Sequence, residues 1–242
     1  MLFIANAVML IALPVAVYYI TRAIYPELAI PLMILAAMPC GMTSPLLSEI
    51  CGGRQSLALV LTISTSLLAP FTVPLVIQML VGATIQVSVI AMFWSLIKVI
   101  FIPFILANIV KYLFHEKIKI AFPAFKSISV ALLGLIIMAA VASQADAIIH
   151  GLQGKFLIHL LILFIFFILL HLIGYYAVFW RDKADRVTIA VCLTYMNFTL
   201  AIYLSNQFFN EPGIIIPIIL SVLPWSIMII PFKFLMKKLK FV

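Results

Sequence analysis

A chain of 242 residues that is 67% hydrophobic and only 9% charged is not a soluble domain, because globular chains average roughly 45–50% apolar and about 25% charged residues. Its mean hydropathy of +1.32 points to lipid as the solvent. The net charge of +8 does not indicate a nucleic-acid partner, since the Lys and Arg residues sit in short patches between apolar runs.

A helical span needs about 20 mostly apolar residues to cross roughly 30 Å of hydrocarbon. Eight runs qualify, at 2–21, 28–50, 56–80, 84–113, 126–146, 156–180, 187–209 and 213–235. Backbone groups in lipid must be satisfied within the segment, so the expected fold is all-α, a polytopic transmembrane helix bundle. Breakers mark the connections Tyr25-Pro26-Glu27, Cys51-Gly52-Gly53-Arg54 and Asn210-Glu211-Pro212-Gly213. No long polar stretch divides the chain, which predicts one transmembrane domain over 1–242. The first run lacks a basic n-region and an A-x-A site, so insertion is expected to rely on the first helix rather than on a cleavable signal.

Orientation follows from the basic residues. One set of connections holds Arg54, Lys111, Lys117, Lys119, Lys126, Arg181, Lys183, Arg186, Lys233, Lys237, Lys238 and Lys240, and the opposite set only Arg22 and Lys155. Twelve against two places both termini in the cytoplasm; the expected setting is a bacterial inner membrane.

The second span carries Pro39-Cys40-Gly41-Met42-Thr43-Ser44-Pro45. Two prolines six apart with a glycine between them strip donors from the helix ladder and permit an unwound stretch over 39–45. Freed carbonyls with the Thr43 and Ser44 hydroxyls would suit a cation or a polar solute. A Pro-kinked helix with hydroxyl back-bonding is the alternative. In the third span Thr62, Thr65 and Ser66 fall at i, i+3 and i+4 on one helix face, as a polar lining or as small residues for close packing. The fourth span contains Lys98, either a functional group at membrane depth or a snorkelling side chain.

In the sixth span His159 and His171 are twelve apart, which argues against a shared metal site. Its run Phe164-Ile165-Phe166-Phe167 reads as lipid-facing or packing surface, and Trp94, Trp180 and Trp225 as belt or packing residues. The seventh span holds Cys192, Thr194, Asn197 and Thr199, with a second break expected at 193–198. The Asn197 amide reads as a binding group or as an interhelical hydrogen bond. Cys40 and Cys51 are expected on one helical segment and its end; with Cys192 they read as free thiols, having neither disulfide nor CxxC spacing.

Spans one to three and six to eight form triplets of opposite topology, each with an interrupted central member. Paired interrupted helices in inverted halves are the sequence pointer to a transporter's midplane site.

The stretch Pro39-Cys40-Gly41-Met42-Thr43-Ser44, then Gly53, then Leu59 to Pro70 with its Ser64-Thr65-Ser66-Leu67-Leu68-Ala69-Pro70 end, resembles the bile acid:sodium symporter family, which has a P-G-G-x-x-S-N crossover followed by a helix ending S-T-L-L-x-P. Asn197-Phe198-Thr199-Leu200-Ala201-Ile202 is similar to that family's second crossover and to the N-F-E-L-A-I of the related arsenical-resistance carriers. The resemblance implies inverted repeats with two discontinuous crossing helices, and places Ser44, Thr62 and Asn197 at or beside the ions. The chain departs from the family with Pro45 for Asn, Ala58 for Ser, Met196 for Gln, Cys192 near the expected Glu, and Thr199 for the arsenical carriers' glutamate. No acid remains in either crossover, so two-sodium coupling is not expected. The family usually has nine or ten spans, and alignment of the crossovers implies that the chain lacks the first two of ten.

The expectation is a secondary transporter of a small organic anion working by alternating access, with no cofactor and with Na+ as the candidate coupling ion. Its expected partners are a small anionic solute and the lipid bilayer. The candidate binding residues are Cys40, Thr43, Ser44, Thr62, Thr65, Ser66, Thr194, Asn197 and Thr199. A metalloid or weak-acid efflux carrier using Cys40, and a non-transporting membrane scaffold, are the alternatives. No GxSG elbow, HExxH motif or paired acids within a span suggest an enzyme.

Overall fold

The computed structural model describes residues 2–82, 87–114 and 155–238, with scattered helical positions between 128 and 149. The expected fifth span, 126–146, lies largely outside the described residues, as do Lys117, Lys119, Lys126 and Lys240.

Nine helical elements are assigned in chain order among the described residues. These are α1 (Leu2–Ile24), α2 (Ala29–Ala37), α3 (Ser44–Ile50), α4 (Gln55–Val81), α5 (Val89–Leu113), α6 (Phe156–Tyr176), α7 (Lys183–Thr194), α8 (Phe198–Leu204) and α9 (Pro212–Lys238). Five of them, α1, α4, α5, α6 and α9, are long and apolar enough to cross a membrane. The protein is an integral multi-pass membrane protein, an all-α bundle in which backbone groups are satisfied along each helix.

Local chemistry explains the irregularities. A π turn at Val8–Ala12 precedes Pro14, whose ring and missing N–H disturb the ladder. In α9, Pro217, Pro224 and Pro231 recur every seven residues, and the helix is interrupted at Ser221 and Met228, four residues beyond the first two.

The second and seventh spans are each split. α2 stops at Ala37 because Met38, the residue before Pro39, takes extended backbone at φ −70°, ψ 144°. α3 restarts at Ser44 with Pro45 in its first turn, where a missing N–H costs nothing. α7 ends at Thr194 and α8 begins at Phe198, with Asn197 as its N-cap. Cys40 therefore lies in the break and not on a helix ending at Cys51, correcting the expectation that one helical segment joins them.

The core gathers around α2, which is buried except at Ile30, packed by α1, α4, α8 and the start of α9. α6 lies close along α7 because Gly174 faces Ala190; an added Cβ there would sit 2.6 Å from the Ala190 Cα. Phe166 and Phe167 pack inward, while α5 is mostly exposed and carries Lys98 on its exposed face. Such a face is ordinary for a helix solvated by lipid.

Two polar clasps tie the first half of the chain to the second, one at each end. At one end Glu27 pairs with Lys155, whose hydrogen bond holds the Glu27 carboxyl below its ordinary value. At the other, Asp185 is buried between Arg54 (2.7 Å) and Arg181 (2.6 Å), and Arg54 also reaches Asp182. Beside it the Thr188 hydroxyl accepts the Arg54 N–H at 2.7 Å and the Ser48 hydroxyl at 3.1 Å.

Candidate functional site

The two breaks cross each other. Asn197 donates its N–H to the Pro39 carbonyl at 2.7 Å and Gly41 donates to the Tyr195 carbonyl at 2.8 Å, an isolated antiparallel bridge centred on Cys40 and Met196. Main-chain groups freed by the breaks thus satisfy one another at membrane depth, which is the only way irregular backbone survives there. Glycine is required at 41, since a Cβ would lie 2.6 Å from the Tyr195 oxygen and 2.9 Å from that of Met196.

Three hydroxyls brace the crossing. Ser44 donates to the Tyr195 carbonyl at 2.8 Å. Thr65 donates to Leu61 at 2.7 Å and accepts the Cys40 N–H at 3.1 Å. Thr62 donates to Ala58 at 2.9 Å, with its oxygen 3.3 Å from the Cys40 sulfur and 3.5 Å from the Gly41 carbonyl. The Cys40 thiol accepts from the Thr62 hydroxyl and lies beside Cys192 and Ser44. Both cysteines are free and fully buried.

A cavity of about 1020 Å³ opens against the crossing. Its polar wall includes Thr62, Ser66, Asn197 and Thr199, continued along α8 and the following π turn by Tyr203, Asn206 and Gln207. Val99, Ile100, Pro103, Phe104 and Ala107 of α5 form an apolar wall. No charged side chain lines it among the described residues.

The nine expected site residues therefore divide. Thr62, Ser66, Asn197 and Thr199 line the cavity. Cys40, Ser44 and Thr65 lie behind it and hold the crossing together. Thr43 is exposed and outside the cavity lining, and Thr194 is buried with no protein partner for its hydroxyl. Asn197 also caps α8, its Oδ1 accepting the Leu200 N–H at 3.1 Å. Tyr203, Asn206 and Gln207 went unread, although Thr199, Tyr203 and Asn206 recur at the spacing of one helix face.

The donor set behind the crossing offers a hard cation neutral ligands. The Ser44 and Thr62 hydroxyl hydrogens go to carbonyls, two thiols lie close by, and no carboxylate is present among the described residues. Thiols favour soft metals, whereas hard cations favour oxygen.

The chain is 22% identical over 224 residues to the probable sodium/metabolite cotransporter BASS1, chloroplastic, of Arabidopsis thaliana, covering 89% of this chain and 54% of that protein. It is 24% identical over 194 residues to the protein of that name from Oryza sativa subsp. japonica, covering 78% of this chain and 46% of the relative. An uncharacterized sodium-dependent transporter of Bacillus subtilis, YocS, matches at 26% over 125 residues, 52% of this chain and 39% of the relative. The chain thus spans about half the length of the curated relatives it matches. Residues 1–151 match the family model described as the sodium bile acid symporter family. With more than half of its length matched, including the first break and all of α4 and α5, the chain belongs to the sodium bile acid symporter family.

Proposed function

We propose that this protein is a secondary transporter of a small organic anion, working by alternating access, with weak or absent sodium coupling. The observation that carries this reading is the cavity of about 1020 Å³ set against the crossed breaks. Its neutral donors, the Asn197, Asn206 and Gln207 amides and the Thr199 and Tyr203 hydroxyls, suit a carboxylate, and the α5 wall suits an apolar body. The family's description names a bile acid, itself an organic anion, and the relatives' names include sodium. Weak sodium dependence is expected because neutral ligands without a carboxylate recover less of the cost of desolvating a cation.

Counterflow of labelled organic acids into proteoliposomes, with and without a sodium gradient, tests the reading. Uptake with little response to sodium is expected, and Asn197→Ala should weaken it roughly tenfold, about 1.4 kcal/mol. Steep sodium dependence would overturn the coupling part; unchanged uptake by Asn197→Ala would leave that amide as a helix cap alone.

The contact between Cys40 and Cys192 favours a second reading, a metalloid carrier that binds through Cys40. Transport unaffected by Cys40→Ser would exclude it. In the proposed orientation both termini face the cytoplasm.

A further inference from the structure

Polar atoms buried without a partner are uncommon, and each needs a physical reason. Among the described residues such side-chain atoms occur on His159, His171, Thr194, Tyr195 and Trp225. Those other than His159 gather at the second break. Thr194 ends α7, Tyr195 follows it, and the His171 ring of α6 meets the Tyr195 ring edge-on with centroids 5.5 Å apart. Trp225 of α9 lies 5.9 Å from Tyr195, and Phe232 of α9 lies 4.4 Å from His171.

His171 is 4% exposed and Tyr195 1%. The His171 Nδ1 is 2.8 Å from the Phe167 carbonyl, an acceptor, so Nδ1 carries the hydrogen. In the neutral ring Nε2 is then a buried lone pair with no protein donor. Burying it, a phenol hydroxyl and an indole N–H together costs free energy unless water joins them.

We propose that His171, Tyr195 and Trp225 frame a hydrated proton-binding site, with His171 Nε2 as the acceptor. A hydronium ion reaching the site transfers its proton to Nε2: an O–H bond breaks, an N–H bond forms and neutral water remains. Release is the reverse. The titratable groups around it are Tyr195 on the second break, Cys51 at the end of α3 and Tyr175 on α6. Two cations lie nearby: Lys233 of α9 towards Cys51, and Arg186 of α7, stacked on Tyr175 at 4.0 Å. No carboxylate pairs with His171 among the described residues, so the charged ring relies on water and on the Phe232 face. Because the site touches the crossing directly, its protonation is placed to bias the arm formed by α7 and α8. A proton bound here is then placed to couple to transport; that last step alone rests on the transporter reading.

The test uses the full chain, 15N-labelled at histidine, in lipid nanodiscs. From about pH 8 to about pH 4, one imidazole with a protonated Nδ1 should gain a proton reversibly at Nε2, and His171→Gln should abolish that signal. If that variant does not fold, removing His115, His150 and His159 in turn assigns the signal by elimination. A His171 ring that stays neutral across this range overturns the site. Coupling is then read from labelled-acid uptake above protein-free vesicles under an inward pH gradient. Gradient-driven uptake that His171→Gln loses supports it, and gradient-independent uptake with a titrating His171 overturns the coupling while the site stands. No uptake under any gradient counts against the transporter reading, and the imidazole signal decides the site on its own.

Discussion

Gly41 is the residue on which the crossing depends most directly. Its Cα approaches two carbonyls of the opposite break so closely that any side chain must push the breaks apart. Gly41→Ala should therefore destabilise the protein by about 1–3 kcal/mol, the usual range for forcing atoms into a packed site. Gly213 is the control, since it stands at the start of α9 with nothing within 4 Å of an added Cβ. Gly213→Ala should be neutral or slightly stabilising. Apparent melting temperatures in detergent separate the two, and equal effects would show that the close approach is not what position 41 requires. Asn197 is the opposite kind of residue, one whose role the sequence left between two readings. An amide in an apolar run signals polarity at depth, but its job as a helix cap depends on where α8 starts, which no Pro or Gly marks.

At the scale of elements, the split spans were unequally legible. Pro39, Gly41 and Pro45 act on their own backbone, so the first break is written in local residues. The second break exists because the first one offers it partners: Tyr195 and Asn197 leave the helix ladder and bond to Gly41 and Pro39 instead. The clasp at the start of α7 was missed for a similar reason. Arg54 read only as a topology charge and the two aspartates carried no reading; their meeting across the bundle is what makes Asp185 buried. Their environments predict different costs. Asp185, 1% exposed and held by two arginines, should be costly to neutralise, because Asp185→Asn gives up charge-assisted hydrogen bonds at a buried position. Asp182, 52% exposed, keeps its capping ability as Asn, so Asp182→Asn should cost about 0–1 kcal/mol. Thermal unfolding of the two variants compares them directly; a larger loss from Asp182→Asn would mean that the exposed Arg54–Asp182 pair, not the buried one, holds the clasp.

For the whole molecule, the basic residues make a topological prediction. Reporter fusions after Lys155 and after Val242 should mark opposite sides of the membrane, with the C-terminal fusion cytoplasmic, given the twelve-to-two asymmetry of Lys and Arg. Both reporters on one side would refute the orientation. The all-α bundle and the family were legible because hydropathy and proline act locally, through lipid solvation and through a residue's own backbone. What the sequence by itself determined was therefore the set of long apolar helices, the first interruption and the segments that resemble the family. The tertiary structure alone decided which hydroxyls face the cavity and which brace the crossing. It also decided that Cys40 meets Cys192 and not Cys51, and that His171 lies against Tyr195. These are contacts between distant parts of the chain, as Ser44 and Tyr195 show at 151 residues apart. Their geometry is set by how two helices cross, and no local pattern of residues carries that information.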